Sequence, residues 1–223
     1  MAFKVGDAVK MRQGVKDSES GIFDMGGWQG WITEVPTKRE PNYELVWDTE
    51  TLKNMPNDYI VKGNQEEADW VCYFTNDAEL EAAKPRDTFK AAKAFAADWE
   101  DKHAFNDGSE DGAIIMKVIG DEQDVVKNLE KWQRYLTETL TFPFEAMVAD
   151  SDNKAVKEGA MVTVTGLSNK KADEENGLMA KIKIRGMGMQ HPLCDLEGLE
   201  DEPNTLHVNA YAGWFVCQQG EEE

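Results

Sequence analysis

The sequence predicts an α+β protein in which two small SH3-like β-barrels flank a helical hairpin. Three observations lead there. Both ends of the chain alternate apolar and polar residues with period two, the middle repeats apolar residues at helical spacing, and the two ends share a pattern. At 223 residues the chain is long enough for each part to bury a core. The expected division is an SH3-like barrel over 1–64, a helical connecting region over 65–140, and a second SH3-like barrel with an acidic tail over 141–223.

In the first part, Ala8-Val9-Lys10-Met11, Trp31-Ile32-Thr33-Glu34-Val35 and Tyr43-Glu44-Leu45-Val46-Trp47 read as half-buried strands. The Gly26-Gly27-Trp28-Gln29-Gly30 segment supplies a bend between strands, and Asp58-Tyr59-Ile60-Val61, after Pro56, is expected to close the module as a strand. In the middle, Asp87 is the expected N-cap of a helix carrying Phe89, Ala92, Ala96, Trp99 and His103 on one stripe. A second helix follows from Val125, Leu129, Trp132, Leu136 and Leu140, with Asp121, Glu122 and Asp124 in its first turn and Pro143 beyond its end. Strands return at Met161-Val162-Thr163-Val164, at Met179 to Ile184, and around Ala212 to Val216. Lys4 to Met11 pairs in pattern with Lys157 to Val164, and the Met55-Pro56 and His191-Pro192 segments occupy matching places, which reads as an internal repeat.

Charge restricts the function. The 24 Lys+Arg against 43 Asp+Glu leave a formal net charge of -19, which repels nucleic acid and anionic membrane surfaces and leaves cations and basic partners open. Hydrophobic residues make up 41%, too many for a disordered chain. The start has no apolar leader, and no apolar run approaches the roughly 18 residues of a membrane span. Cys72, Cys194 and Cys217 are odd in number and far apart, which argues against a disulfide framework and for a reducing, cytoplasmic location.

No enzyme is expected, because no catalytic constellation is visible. His103, His191 and His207 lack the spacing of a helical metal pair, and Gly186-Met187-Gly188 lacks the third glycine of a dinucleotide fingerprint. His191 and Cys194 are two ligands short of a zinc site, so His191 is read as structural.

Hard cations suit the carboxylate inventory better, since calcium takes six to eight oxygen ligands. Asp107, Ser109 and Asp111 stand at the first, third and fifth places of a calcium-loop pattern with Gly112 sixth, but Val118 stands where the closing bidentate carboxylate belongs. Three further clusters could supply oxygen: Asp150, Asp152 and Asn153; Asp173, Glu174, Glu175 and Asn176; and Asp195, Glu197, Glu200, Asp201 and Glu202. The bland reading of each is a solvated acidic face. A competing reading is a peptide-binding module, with Trp28, Trp31 and Trp47 lining a groove between loops rather than filling the barrel core.

A resemblance adds to these readings. Trp132-Gln133-Arg134-Tyr135-Leu136, Leu140-Thr141-Phe142-Pro143-Phe144-Glu145-Ala146, Val162 to Leu167, Pro192 to Glu197 and Tyr211 to Phe215 occur in the order seen in the small acidic calcium-binding proteins first associated with cyanobacteria. The resemblance covers about residues 125 to 218 and implies calcium as the bound ion and a helix packed beside a small barrel. It also places the acidic loop at Asp173, Glu174 and Glu175 first among the candidate ligands. Residues 1 to about 90 have no counterpart in that core.

Overall fold

The computed structural model describes residues 2–18, 20–120, 122–151, 153, 155–200 and 202–219. The chain divides into two compact units, Met1–Gly108 and Ser109–Glu223.

The first unit is built on β1 (Ala8–Met11), β2 (Gln29–Glu34), β3 (Tyr43–Trp47), β4 (Cys72–Thr75) and β5 (Leu80–Ala82). These form one antiparallel sheet in the order β4-β3-β2-β1-β5. Alternation works as the sequence predicts: Val9 and Met11 are buried while Ala8 and Lys10 are only partly so. Between β3 and β4 lie α1 (Thr49–Lys53) and α2 (Asn57–Gln65), and α3 (Phe89–His103) follows β5. Asp58 to Val61, expected as a strand, is therefore helical. Pro56 caps α2, where its missing N–H costs nothing, and the apolar Ile60 turns into the core.

The core of this unit joins Val9, Met11, Ile32, Leu45, Trp47 and Leu52. Trp31 and Trp47 are 8% and 0% exposed, and the half-buried Trp28 meets Trp47 edge to face. Three exposed rings on one groove are not what the fold presents, and the burial of Trp31 and Trp47 counts against the peptide reading through Trp28, Trp31 and Trp47. Their apolar area fills a core too small to spare them.

Asp87 also has a different role from the one expected. Thr88 caps α3, accepting from Ala91 N. The Asp87 carboxylate instead takes Trp31 Nε1 at 2.8 Å, Thr49 N at 3.0 Å and Thr49 Oγ1 at 2.8 Å, tying α3's entrance to β2 and α1. Burial pushes its pKa up, but these donors and the nearby Arg86 outweigh burial and hold it below 3.8. A lowered carboxylate pKa gives stability that is complete above the unfolded value and is lost as pH falls through the folded one. The first unit should therefore lose stability progressively below about pH 4. Asp87→Asn should flatten that loss, as read by urea midpoints taken between pH 3 and pH 6; an unchanged slope would refute the assignment.

The second unit opens with α4 (Glu110–Ile119) and α5 (Val125–Thr139), followed by β6 (Phe144–Val148), β7 (Met161–Leu167), β8 (Met179–Ile184), β9 (Met187–Pro192), β10 (Leu196–Gly198) and α6 (Thr205–Gln219). The α5 stripe is as read: Leu129, Trp132 and Leu136 are buried, and Asp124 caps the helix through Lys127 N at 2.9 Å. Asp121 lies outside the described residues. The sheet runs β10-β6-β7-β8-β9, so both units place their first strand between their fifth and second. Each also bulges where its second strand pairs with its third, at Ile32/Glu34 and at Val164/Gly166.

Two open five-stranded sheets thus replace the expected SH3-like barrels: among the described residues no ladder joins β4 to β5 or β9 to β10. Strands β4 and β5 lie within 65–140, expected from the sequence as a helical connecting region, and the boundary between the units falls there too. The segments aligned as a repeat occupy unlike places, since Ala8–Met11 is a first strand and Met161–Leu167 a second one. The segment around Ala212 to Val216, expected as a strand, belongs to α6. Val208, Ala210, Tyr211, Trp214 and Phe215 of that helix are all buried, because α4, α5 and β10 surround it, and a helix buried on several sides shows no clean amphipathic period.

Candidate metal centre

Three loops of the second unit meet at a pocket of about 360 Å3. The β6–β7 loop brings Asp150, Ser151 and Asn153, the β7–β8 loop Glu175 and Asn176, and the turn after β9 Cys194 and Asp195; Gln190, His191 and Pro192 complete the lining from β9. Antiparallel pairing produces this meeting. The β6–β7 loop and the β9–β10 turn are stitched together, with Ala149 N and Asp150 N both donating to Asp195 O, at 2.8 and 3.4 Å.

His191, 3% exposed, braces the floor. Its Nε2 lies 3.1 Å from Asp150 O and 3.8 Å from Asp195 Oδ2. A carbonyl only accepts, so Nε2 carries the proton in that bond. Burial, together with the Asp195 carboxylate, pushes the Cys194 thiol up to about 12. It stays protonated at neutral pH.

The β7–β8 loop is fixed from below by α6. Leu178 N donates to Tyr211 Oη at 2.7 Å, and Gln219 Nε2 donates to Glu174 O. Within the loop, Asp173 Oδ1 accepts from Asn176 N at 2.7 Å and from Asn176 Nδ2 at 3.2 Å. Those bonds hold its pKa below the ordinary aspartate value. Its carboxylate therefore caps its own turn, while Glu175 and Asn176 reach the pocket.

The predicted site residues separate accordingly. Glu175 and Asp195 come together, joined by Asp150 and Asn153 from another predicted cluster. Asp173 and Glu174 lie in the same loop but outside the pocket lining, and Glu197 is exposed on β10. Asp152 and Asp201 lie outside the described residues. Asp107 falls in the first unit, Ser109 caps α4 through Gly112 N at 2.9 Å, and Asp111 sits in that helix's first turn. A Ser cap thus starts a helix at the third place of that calcium-loop pattern, where the pattern has wrapped loop. Ser151 and Gln190 were missed. Gln190 alternates with buried His191 on β9, and that period was its available signal.

Beside the His191 ring and the Cys194 thiol, the lining offers carboxylate and amide oxygens with a hydroxyl, and a donor set dominated by oxygen suits a hard divalent cation. Among the described residues, no three His, Cys, Asp or Glu side chains are already drawn together tightly enough to hold an ion.

The second unit is thus a small α+β domain whose loops gather oxygen donors around one pocket. Residues 112–215 match the family model of the CcbP proteins, described as calcium binding, and the resemblance read from the sequence holds. The crystal structure of Anabaena CcbP matches at 21% identity over 48% of this chain and 89% of that chain, with a TM-score of 0.37. A structure described as a calcium-binding protein in the calcium-binding form matches at 22% identity over 48% and 90%, with a TM-score of 0.38. No curated protein matches the chain. No helix among the described residues is long and apolar enough to cross a membrane.

Proposed function

We propose that the protein binds calcium through its second unit and acts without catalysis, as a calcium buffer or sensor. The observation that carries this reading is the match of residues 112–215 to a family model described as calcium binding. The three-loop pocket supports a location for the ion. Asp150, Glu175 and Asp195 would supply carboxylates, and Asn153, Asn176 and Gln190 amide oxygens, with water completing the shell. Because Asp150, Asn153, Glu175 and Asn176 are exposed, their side chains can swing in as the ion arrives, while His191 and Tyr211 hold the loop backbones. A cytoplasmic setting suits the three free cysteines.

Melting after chelator treatment tests the proposal. An ion that binds only the folded state stabilises it by about 2.7 kcal/mol at a hundred times its Kd. Calcium should raise the midpoint of the second unit, and magnesium, which demands near-octahedral geometry, should raise it less at equal concentration. Glu175→Gln with Asp195→Asn should remove most of the calcium increment while leaving the ion-free midpoint level or slightly higher, since like charges are removed. Equal responses to both ions would mean general screening and would sink the proposal. A full calcium response in the double variant would move the ligands elsewhere.

A further inference from the structure

The first unit carries an open sheet edge beside an aromatic hollow, and neither belongs to the proposed calcium site. Among the described residues, strand β4 pairs with β3 only. Trp47 N donates to Val71 O, and the ladder continues through Leu45↔Tyr73 and Tyr43↔Thr75. Antiparallel alternation therefore turns the N–H and C=O of Phe74 away from β3, toward the open edge. Cys72 N, which shares that outward direction, is taken by Asp69 Oδ1 at 3.0 Å. The Phe74 ring is 57% exposed, an unusual place for a large apolar side chain on an edge strand. A hollow of about 170 Å3 adjoins it, lined by Tyr59, Trp70, Tyr73 and Phe74 with Glu66 and Asp69 at its rim.

The charge around this edge is one-sided. Glu44 lies directly across the ladder from Phe74. Burial pushes the Cys72 thiol up to about 12, with Asp69, Glu44 and Glu100 adding to the rise, so all three carboxylates act on this spot. Glu100 is likewise raised, by burial and then by Asp69 and Asp101. Of the groups lining the hollow, Lys62 is a cation, and Glu66 already holds it at 2.7 Å. Asp17, on the same lining, spends its carboxylate on Ser20 and Phe23 of its own loop.

We infer that this edge is a docking site for a basic, extended peptide segment that adds to the sheet beside β4. Main-chain bonds to Phe74 would supply pairing. Alternate side chains would divide between the two faces, apolar ones entering the aromatic hollow and Lys or Arg meeting Glu44, Asp69 and Glu100. Charge selects this occupant over a second copy of the chain. Edge-to-edge self-pairing would set the same carboxylates against each other in molecules of net charge -19. An acidic segment is excluded for the same reason.

The test uses the full chain with chelator present, so its outcome does not depend on the calcium proposal. The probe is acetyl-(Lys-Val)3-amide, followed by two-dimensional amide NMR, with acetyl-(Glu-Val)3-amide as its charge-reversed control. Saturable shifts should centre on Cys72 to Thr75, Glu66 and Asp69, and only for the basic peptide. Phe74→Pro, which deletes the outward N–H and no ladder donor, should abolish binding. Phe74→Ala keeps that N–H and should weaken binding about tenfold through lost ring contact. Glu44→Gln with Glu100→Gln should weaken it about fivefold at low salt and much less at high salt. No saturable shift, equal binding of the acidic peptide, no effect of either Phe74 variant, or a concentration-dependent dimer formed through β4 would each overturn the proposal.

Discussion

Arg86→Leu is expected to destabilise the first unit by about 3 kcal/mol, the low end of the cost of stranding a buried charge, because the Arg86 side chain is itself 38% exposed. Asp48 is 0% exposed, and its carboxylate takes Arg86 Nε and Nη2, both at 2.6 Å, and Thr51 N at 2.8 Å. The same guanidinium reaches Thr51 Oγ1 at 2.7 Å, and that hydroxyl donates to Gln29 O and accepts from Gln29 N, both at 2.9 Å. One arginine thus joins the start of α1, the cap of that helix and the backbone of β2. Without it the carboxylate remains in the core with a single backbone donor. The double variant Asp48→Asn with Arg86→Leu keeps the cap and removes the charge, so it should recover at least about 1.5 kcal/mol of the loss. Urea melts would give the totals, and hydrogen exchange in β1, β2 and β3 would place the loss in this unit. If the double variant is no better than Arg86→Leu, lost packing of the arginine stem is the cause, and the stranded-charge account is wrong.

The second large effect is expected at Gly177, where β7–β8 meets α6. Its φ is +63, in the left-handed region, and an added Cβ would collide with Tyr211 Oη and stand 2.9 Å from Phe215 Cζ. Both rings are core groups, 0% and 2% exposed, and neither can withdraw without moving α6. Left-handed backbone costs a side chain about 1–2 kcal/mol, and overpacking adds about 1–3 kcal/mol. Gly177→Ala should therefore lower the stability of the second unit by roughly 2–5 kcal/mol, the sum of those two terms. Gly186→Ala is the control: φ is +80 there, but nothing stands within 4 Å of the added carbon, so about 1–2 kcal/mol is expected. Gly177→Ala should also reduce the calcium increment beyond what stability explains, because Glu175 and Asn176 ride on the displaced loop. Equal losses in the two variants would show that α6 does not brace that loop.

How far the sequence could be read depended on whether burial was one-sided. Tyr43–Trp47 and Met179–Ile184 bury one side more than the other, and both strands stand where alternation put them. Helix α5 buries one stripe and was equally plain. Helix α6 is enclosed by its neighbours, so its apolar run resembled a strand. Helix α2 is short, and its β-branched Ile60-Val61 pair read as strand until Pro56 and the helical turn are seen together. At the candidate site, the family resemblance pointed to the β7–β8 loop, where Asp173 caps its own turn while its neighbour Glu175 faces the pocket.

The amino-acid sequence by itself determined the acidic character, the two β-rich parts, the strongest helices and the resemblance of about residues 125 to 218 to a calcium-binding family, whose model matches residues 112–215. These properties are additive or local, set by charge counts and by periods that a few consecutive residues express. Only the tertiary structure decided which carboxylates share a pocket, that Trp31 and Trp47 are core, and that β4 leaves an edge open beside Phe74. Each of those depends on ladders between strands far apart in the chain, such as β6 with β10, and no local period encodes which distant partner a strand will find.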